Sequence, residues 1–92
     1  MKVQNMIGPG GHEVPNQYHL TDDNGTEYFQ SYTSIIAKRN PSGAVTLDAE
    51  KWDYSKTTGK YRNAFLGETK TETLQKIASG VYKLADLNGG KA

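Results

Sequence analysis

The chain has 92 residues, of which 35% are hydrophobic and none is cysteine, and its formal net charge is +1. This length suits one small domain with a thin core, and the lack of cysteine excludes disulfides, thiolate catalysis and thiolate zinc sites. No stretch is long and apolar enough for a membrane span or a signal peptide, so we expect a single domain (1–92) in the cytoplasm, without a membrane partner.

Charge is distributed unevenly along the chain. Residues 1–50 contain three Lys and Arg against six Asp and Glu, whereas residues 51–92 contain eight against four. The basic second half suits docking onto an anionic partner, although a solvated surface also shows such a spread.

The first 16 residues are predicted to form an N-terminal arm, either a short edge strand or a loose segment. Prolines and a glycine cluster at Gly8, Gly10 and Gly11 interrupt any longer regular element. This cluster does not match a phosphate-binding loop, because no Gly-Lys-Ser/Thr follows it. The globular core is predicted over 17–87, and a disordered tail over 88–92.

Two strand-like runs between Gln17 and Lys38 are joined through an Asn24-Gly25 turn. A two-residue type I′ turn there would place Leu20 opposite Phe29. The core face would then contain Tyr18, Leu20, Phe29, Thr33, Ile35 and Ala37. The opposite face would contain His19, Thr21, Tyr28, Gln30, Tyr32, Ser34 and Ile36.

This opposite face is too aromatic for an ordinary solvated surface. Tyr28 and Tyr32 could stack on bases of a ligand or on side chains of a partner. Alternatively, they could be buried under the N-terminal arm or in a homodimer, because Tyr often serves as a half-buried strand residue. The composition favours burial or self-association.

A third short strand is predicted over 44–47, and Trp52 is expected to close one end of the core. Two helices should follow. The first covers Thr57–Leu66 and ends at Gly67, and the second covers Lys70–Ser79 behind a Ser/Thr-x-x-Glu capping box and ends at Gly80.

The segment 81–87 reads as a short strand or an extended tail that packs Val81, Leu84 and Leu87. The predicted fold class is therefore α+β, with an antiparallel sheet of three to four strands and two short helices on one face.

Neither catalysis nor metal binding is indicated by any motif. His12 and His19 are seven residues apart without further ligands, and no His-Glu-x-x-His or Gly-x-Ser-x-Gly sequence occurs. We therefore expect no enzyme, no metal and no cofactor.

One segment combines hydroxyls, cations and an aromatic residue at a predicted helix start. Its candidate binding residues are Tyr54, Ser55, Lys56, Thr57, Thr58, Lys60 and Arg62. Hydroxyls, free backbone N–H groups and nearby cations are the components of an anion site. Alternatively, Thr57 or Thr58 only caps the helix, the cations are solvated, and Asp53 pairs with one of them.

These residues also carry a resemblance. The pattern consists of Tyr28-Phe29-Gln30-Ser31-Tyr32, Ile36-Ala37, Leu47-Asp48, Trp52-Asp53-Tyr54-Ser55-x-Thr57-Thr58-x-Lys60-Tyr61-Arg62 and Phe65-Leu66-Gly67. It resembles a family of small uncharacterised proteins encoded by phages and prophages of bacteria, over about residues 17–88. The resemblance implies a phage accessory protein acting in the cytoplasm of the bacterial host, and it carries no known activity or ligand.

Two functions follow as expectations. The first is a non-catalytic accessory protein that binds, and inhibits or modulates, a host protein. The second is binding of nucleic acid, a nucleotide or phosphate through Tyr54–Arg62, with Tyr54 or Tyr28 and Tyr32 stacking on bases.

Overall fold

The computed structural model of the chain describes residues 1–89 and consists of one six-stranded sheet and two helices. The strands are β1 (Lys2–Ile7), β2 (Glu13–Thr21), β3 (Glu27–Ser31), β4 (Ser34–Arg39), β5 (Val45–Asp48) and β6 (Lys83–Ala85), and the helices are α1 (Lys56–Leu66) and α2 (Lys70–Ala78). The strands lie in chain order and pair antiparallel, except that β5 and β6 are parallel. That parallel pair needs the long connection which the two helices supply. The predicted α+β class is confirmed, with six strands instead of three or four.

One reason for the higher strand count is a turn that the sequence analysis read as continuous strand. The chain reverses at Tyr32 and Thr33, so that Ser31 pairs with Ser34. Tyr32 has a φ of 56°, a left-handed conformation that is uncommon for a bulky residue. No Gly, Pro or Asn marks this turn, which is why the strand pattern seemed unbroken.

The predicted register of the β2–β3 hairpin is wrong by one residue. Leu20 pairs with Tyr28, not with Phe29. The Asp22 carboxylate accepts hydrogen bonds from the backbone N–H groups of Asn24 and Thr26, which lengthens the loop by one residue. Because side chains alternate between faces, this shift moves every β2 side chain to the other face of the sheet.

The core lies between the helices and one face of the sheet, here called the inner face. Its buried residues are Phe29, Ile36, Ala37, Val45, Leu47, Tyr61, Phe65 and Tyr82. Phe29 and Ala37 were correctly predicted in the core, whereas Tyr18 and Leu20 lie on the opposite, outer face. A bulge between Phe29 and Gln30 leaves Ile36 without a partner in β3, and the Ile36 side chain is buried. Ile36 therefore belongs to the core, where the sequence analysis had placed Ile35.

Both helices begin and end at the residue types expected of caps. The Ser55 hydroxyl accepts from the Thr58 N–H at the start of α1, so Ser55 is the N-cap in place of the predicted Thr57 or Thr58. Gly67 ends α1 in a left-handed conformation. At α2 the capping box between Thr69 and Glu72 is present, as predicted. Each N-terminal cap satisfies backbone N–H groups that a helix start leaves without partners.

The two ends of the described chain are both integrated into the sheet. The N-terminal arm forms edge strand β1, which extends the sheet beside β2 and does not cover its outer face. Near the other end, the Asn88 side chain exchanges hydrogen bonds with the backbone of Ile35. The predicted disordered tail thus begins with an anchored residue, and its last three positions, 90–92, lie outside the described residues.

The segment before β6 packs differently from the prediction. Val81 and Leu84 are exposed, whereas Tyr82 is buried in the core. The Tyr82 hydroxyl donates to the carboxylate of Glu68, and this polar partner allows a phenol to be buried.

Candidate functional site

The outer face carries a groove at its β1–β3 side. Its volume is about 490 Å³, and it is lined by Val3, Asn16, Tyr18, Leu20, Gln30, Tyr32 and Thr33. We call this the outer groove. Within residues 1–89 neither helix covers this face, since α1 bonds the inner face through Thr58 and Ser31, and Ile77 of α2 packs against the core. The outer groove is therefore open to a partner.

Two neighbouring residues of the outer groove have left-handed backbone conformations. Asn16 has a φ of 67° and Tyr32 a φ of 56°. The Tyr32 N–H donates to the Asn16 carbonyl at 2.7 Å, and Gln30 Nε2 donates to the Tyr32 carbonyl at 2.7 Å. These bonds hold Tyr32 at the rim of the groove with half of its surface exposed. Bulky residues held in such a conformation cluster at functional sites.

Tyr28 was predicted to act together with Tyr32, but the structure separates them. Tyr28 lies on the outer face within β3, and its hydroxyl donates to Asp22 Oδ2 at 3.0 Å. Burial and this bond both raise the pKa of the Tyr28 phenol. Tyr28 therefore serves as a hydrogen-bond donor that supports the hairpin loop, and it is not among the residues that line the outer groove.

A second groove of about 450 Å³ lies at the start of α1. It is lined by Asp53, Tyr54, Ser55, Lys56, Gly59, Lys60, Arg62, Asn63 and Lys70, and we call it the α1 groove. The structure thus brings together five of the predicted binding residues, Tyr54, Ser55, Lys56, Lys60 and Arg62. Tyr54, Lys56 and Lys60 are exposed there, while Thr57 is exposed on the same helix but outside the groove lining.

Two of the predicted residues in this segment are buried. Thr58 shares a hydrogen bond of 2.8 Å with Ser31 of β3. Arg62 is 1% exposed, and its Nη1 donates to the Trp52 carbonyl and to the Asp53 carboxylate. These contacts hold α1 against the sheet and against the preceding loop, so neither side chain is presented to a ligand.

Asp53 reduces the positive charge of the α1 groove. Its carboxylate bonds Lys70 at 2.7 Å and Arg62 at 3.0 Å. Burial by itself raises the pKa of Asp53, but these two cations outweigh it and hold the pKa below its ordinary value. Asp53 is therefore ionised at neutral pH, and Lys56 and Lys60 are left to attract an anion.

Trp52 was predicted to lie in the core, and the structure places it at the edge of the core. It is partly buried and packs against the core cluster, with the Arg62 guanidinium 5.1 Å from its ring centroid. Trp52 and Arg62 thus form a cation–π pair beneath the α1 groove.

The sequence analysis missed most residues of the outer groove. Tyr18 and Leu20 were assigned to the core because of the register error, and Val3 and Asn16 were assigned to an N-terminal arm that was either a short edge strand or a loose segment. The signal that could have placed Tyr18 and Leu20 on the outer face is Asp22 ahead of Asn24-Gly25. An Asp at the first position of a type I turn followed by a left-handed Gly favours the longer loop.

Among residues 1–89, no group of three or more His, Asp or Glu side chains is arranged to hold a metal ion. The described part of the chain also contains no helix that is long and apolar enough to cross a membrane.

Comparison with known proteins gives one match. The model of a family of unknown function, DUF8033, matches residues 1–80. No curated protein and no solved structure matches the chain. The matched range includes β1 to β5, both helices and every residue that lines the two grooves. The chain therefore belongs to the DUF8033 family of unknown function.

Proposed function

We propose that this protein is a non-catalytic binding protein whose outer groove receives side chains of a partner protein. The observation that carries the proposal is Tyr32, a bulky side chain held in a left-handed conformation at the rim of an uncovered groove. Such a conformation lowers stability for a bulky residue, and strained residues of this kind cluster at functional sites.

The chemistry of the outer groove supports a protein partner. Val3, Tyr18 and Leu20 supply apolar and aromatic surface, and Asn16 and Gln30 supply polar groups beside it. Aromatic residues next to a few polar groups are typical of the anchor pockets of protein interfaces. We therefore infer a partner that inserts one or two apolar side chains and forms hydrogen bonds around them.

The resemblance to phage and prophage proteins suggests the kind of partner. We infer a phage accessory protein that acts in the cytoplasm of a bacterial host and inhibits or modulates a host protein. A small domain without a catalytic constellation can act in this way by occupying a surface of its target.

Replacing Tyr32 by Asn should raise stability and abolish binding. Asn adopts the left-handed conformation more readily than Tyr, so we expect the free energy of unfolding to rise by about 1 kcal/mol. The anchor side chain is lost at the same time. Thermal unfolding measures the first effect. Photo-crosslinking from Tyr18, replaced by a benzophenone amino acid, measures the second in bacterial lysate.

Tyr54→Asn is the matched control, because Tyr54 is a similarly exposed tyrosine outside the outer groove. A partner crosslinked by the parent chain and by the Tyr54 variant, but not by the Tyr32 variant, supports the proposal. A partner captured equally by all three chains, or no partner at all, would contradict it.

A second candidate is binding of an anionic ligand, a nucleotide or nucleic acid, in the α1 groove. Lys56 and Lys60 favour it, because they are exposed beside each other at the start of a helix. Tyr54 supplies an aromatic ring at the same place.

This second function predicts that nucleotides raise the melting temperature of the parent chain. Lys56→Gln with Lys60→Gln should abolish the rise, because bound ligand stabilises the fold by mass action. Lys83→Gln is the control, an exposed lysine on β6 outside the α1 groove. A screen of nucleotides and of single-stranded DNA at low salt that gives no shift would exclude this candidate.

A further inference from the structure

Strand β1 forms an open edge of the sheet. Among residues 1–89 its only strand neighbour is β2. It has six residues and no proline, and its Val3 and Ile7 side chains are 59% and 57% exposed. Such an edge presents unpaired backbone groups, and natural proteins usually cover or pair it.

The ladder pattern shows which backbone groups of β1 point outward. In β2 the even-numbered residues face β3, since the Asp22 N–H donates to Thr26 and the Asn16 carbonyl accepts from Tyr32. Odd-numbered residues of β2 therefore face β1, because backbone groups alternate between the two neighbours.

His19 of β2 pairs with Gln4 of β1, so the backbone of Gln4 points inward to β2. The Gly8 N–H likewise points inward, since it donates to the His12 carbonyl. The backbone groups of Val3, Asn5 and Ile7 are consequently those directed away from the sheet. These three residues carry the donors and acceptors of the open edge.

We propose that two copies of the chain pair antiparallel through β1 and form one continuous twelve-stranded sheet. Asn5 lies midway between Val3 and Ile7, so a two-fold axis at Asn5 places Asn5 opposite its copy and Val3 opposite Ile7 of the other protomer. Every outward-facing residue then meets an outward-facing residue. The edge is complementary to itself in this register, as a two-fold interface requires.

The side chains fit the same register. On the outer face, Val3 and Ile7 form two apolar cross-strand pairs, which stabilise antiparallel strands. On the inner face, Gln4 meets Met6, and Lys2 meets Gly8, so no like charges face each other. This agreement favours a second copy over an unrelated extended segment.

The arrangement goes beyond the proposed function and is compatible with it. A two-fold axis perpendicular to the sheet keeps both outer faces on the same side, so the dimer presents two outer grooves on one surface. The sequence analysis expected either the N-terminal arm or a second copy to bury the outer face, whereas edge pairing leaves that face open.

A charge-swap experiment tests the register. One variant carries Val3→Lys with Ile7→Lys, and the other carries Val3→Glu with Ile7→Glu. Each variant alone places like charges opposite each other twice, so its dimer dissociation constant should rise roughly tenfold or more. An equimolar mixture places Lys opposite Glu and should restore the dimer. Sedimentation velocity measures association, and circular dichroism checks that both variants are folded.

A dimeric parent chain, weakened in each variant and restored in the mixture, supports the proposal. A monomeric parent chain at high concentration would overturn it, as would variants that dimerise as well as the parent. The latter result would place the interface on another surface, such as the outer face. This result is separate from the Tyr32 experiment, since partner binding by a monomer would leave the proposed function intact.

Discussion

Replacing Arg62 by Met should strongly destabilise the protein. The Arg62 guanidinium donates to the Trp52 carbonyl at 2.7 Å, to Asp53 at 3.0 Å and to Asn63 at 2.9 Å. A Met side chain fills much of the space of the apolar part of Arg62. It leaves the Trp52 carbonyl and the Asp53 carboxylate without the guanidinium that donates to both. Hydrogen bonds to a charged group typically contribute about 1.5–3 kcal/mol each, so losing these three should lower the free energy of unfolding by about 3–5 kcal/mol, even though Lys70 still pairs with the partly exposed Asp53.

That loss is a large fraction of the roughly 5–15 kcal/mol that stabilises an ordinary domain. Urea unfolding followed by Trp52 fluorescence measures it, since Trp52 is the only tryptophan. Arg62→Lys is the informative comparison, because it retains the charge but not the planar fork that serves three acceptors. We expect intermediate stability for it. If the Met variant were as stable as the parent, Arg62 would not be the link between α1 and the Trp52 loop.

The second large effect is expected at Glu68, which lies between the two helices. Its side chain is 5% exposed and accepts from Lys76 and Tyr82 at one oxygen and from Thr73 at the other. Hydrogen bonds to a charged group contribute about 1.5–3 kcal/mol each. Glu68→Gln keeps the shape but removes the charge, so we expect a loss of about 2 kcal/mol at neutral pH.

The effect of Glu68 should depend on pH. Burial by itself raises the pKa of this carboxyl, but the hydrogen bonds from Lys76, Thr73 and Tyr82 outweigh it and hold the pKa below the ordinary value of 4.5. The stabilisation is therefore complete above about pH 4.5 and is lost as the pH falls through the lower pKa of the folded state.

The difference in stability between the parent chain and Glu68→Gln should accordingly shrink below pH 4.5, as measured by denaturant unfolding between pH 3 and 7. Glu50→Gln serves as the control, because Glu50 is exposed. A difference that stayed constant over this range would show that the Glu68 charge does not provide the stabilisation.

Both helices, the start of α2 and the end of α1 could be predicted from the sequence because these signals are local. Thr69 and Glu72 are three residues apart, and the capping box needs no other part of the chain. The end of α1 needs one residue in a left-handed conformation, and glycine adopts the observed φ of 70° at Gly67 without steric cost. The strand at Val45–Asp48 and the α+β class follow from similar short patterns.

The candidate site could be predicted only in part. The residues Tyr54–Lys60 are neighbours in sequence, so their assembly at the start of α1 was foreseen. Arg62 belongs to the same motif, but its burial depends on Trp52 and Asp53 folding back over the helix. The outer groove is lined by residues from β1, β2 and the β3 region. Its position could not be predicted, because an error of one residue in the hairpin register assigns the β2 side chains to the wrong face.

The sequence by itself determined the fold class, both helices, the capping box of α2, the glycine that ends α1 and the cationic residues at the start of α1, because each depends on residues a few positions apart. Only the tertiary structure decided the face on which each β2 side chain lies, the reversal at Tyr32, the burial of Arg62 and the open edge at β1. The physical reason is that a single hydrogen-bonding choice at Asp22 sets the register, and the register then assigns whole strands to one face or the other.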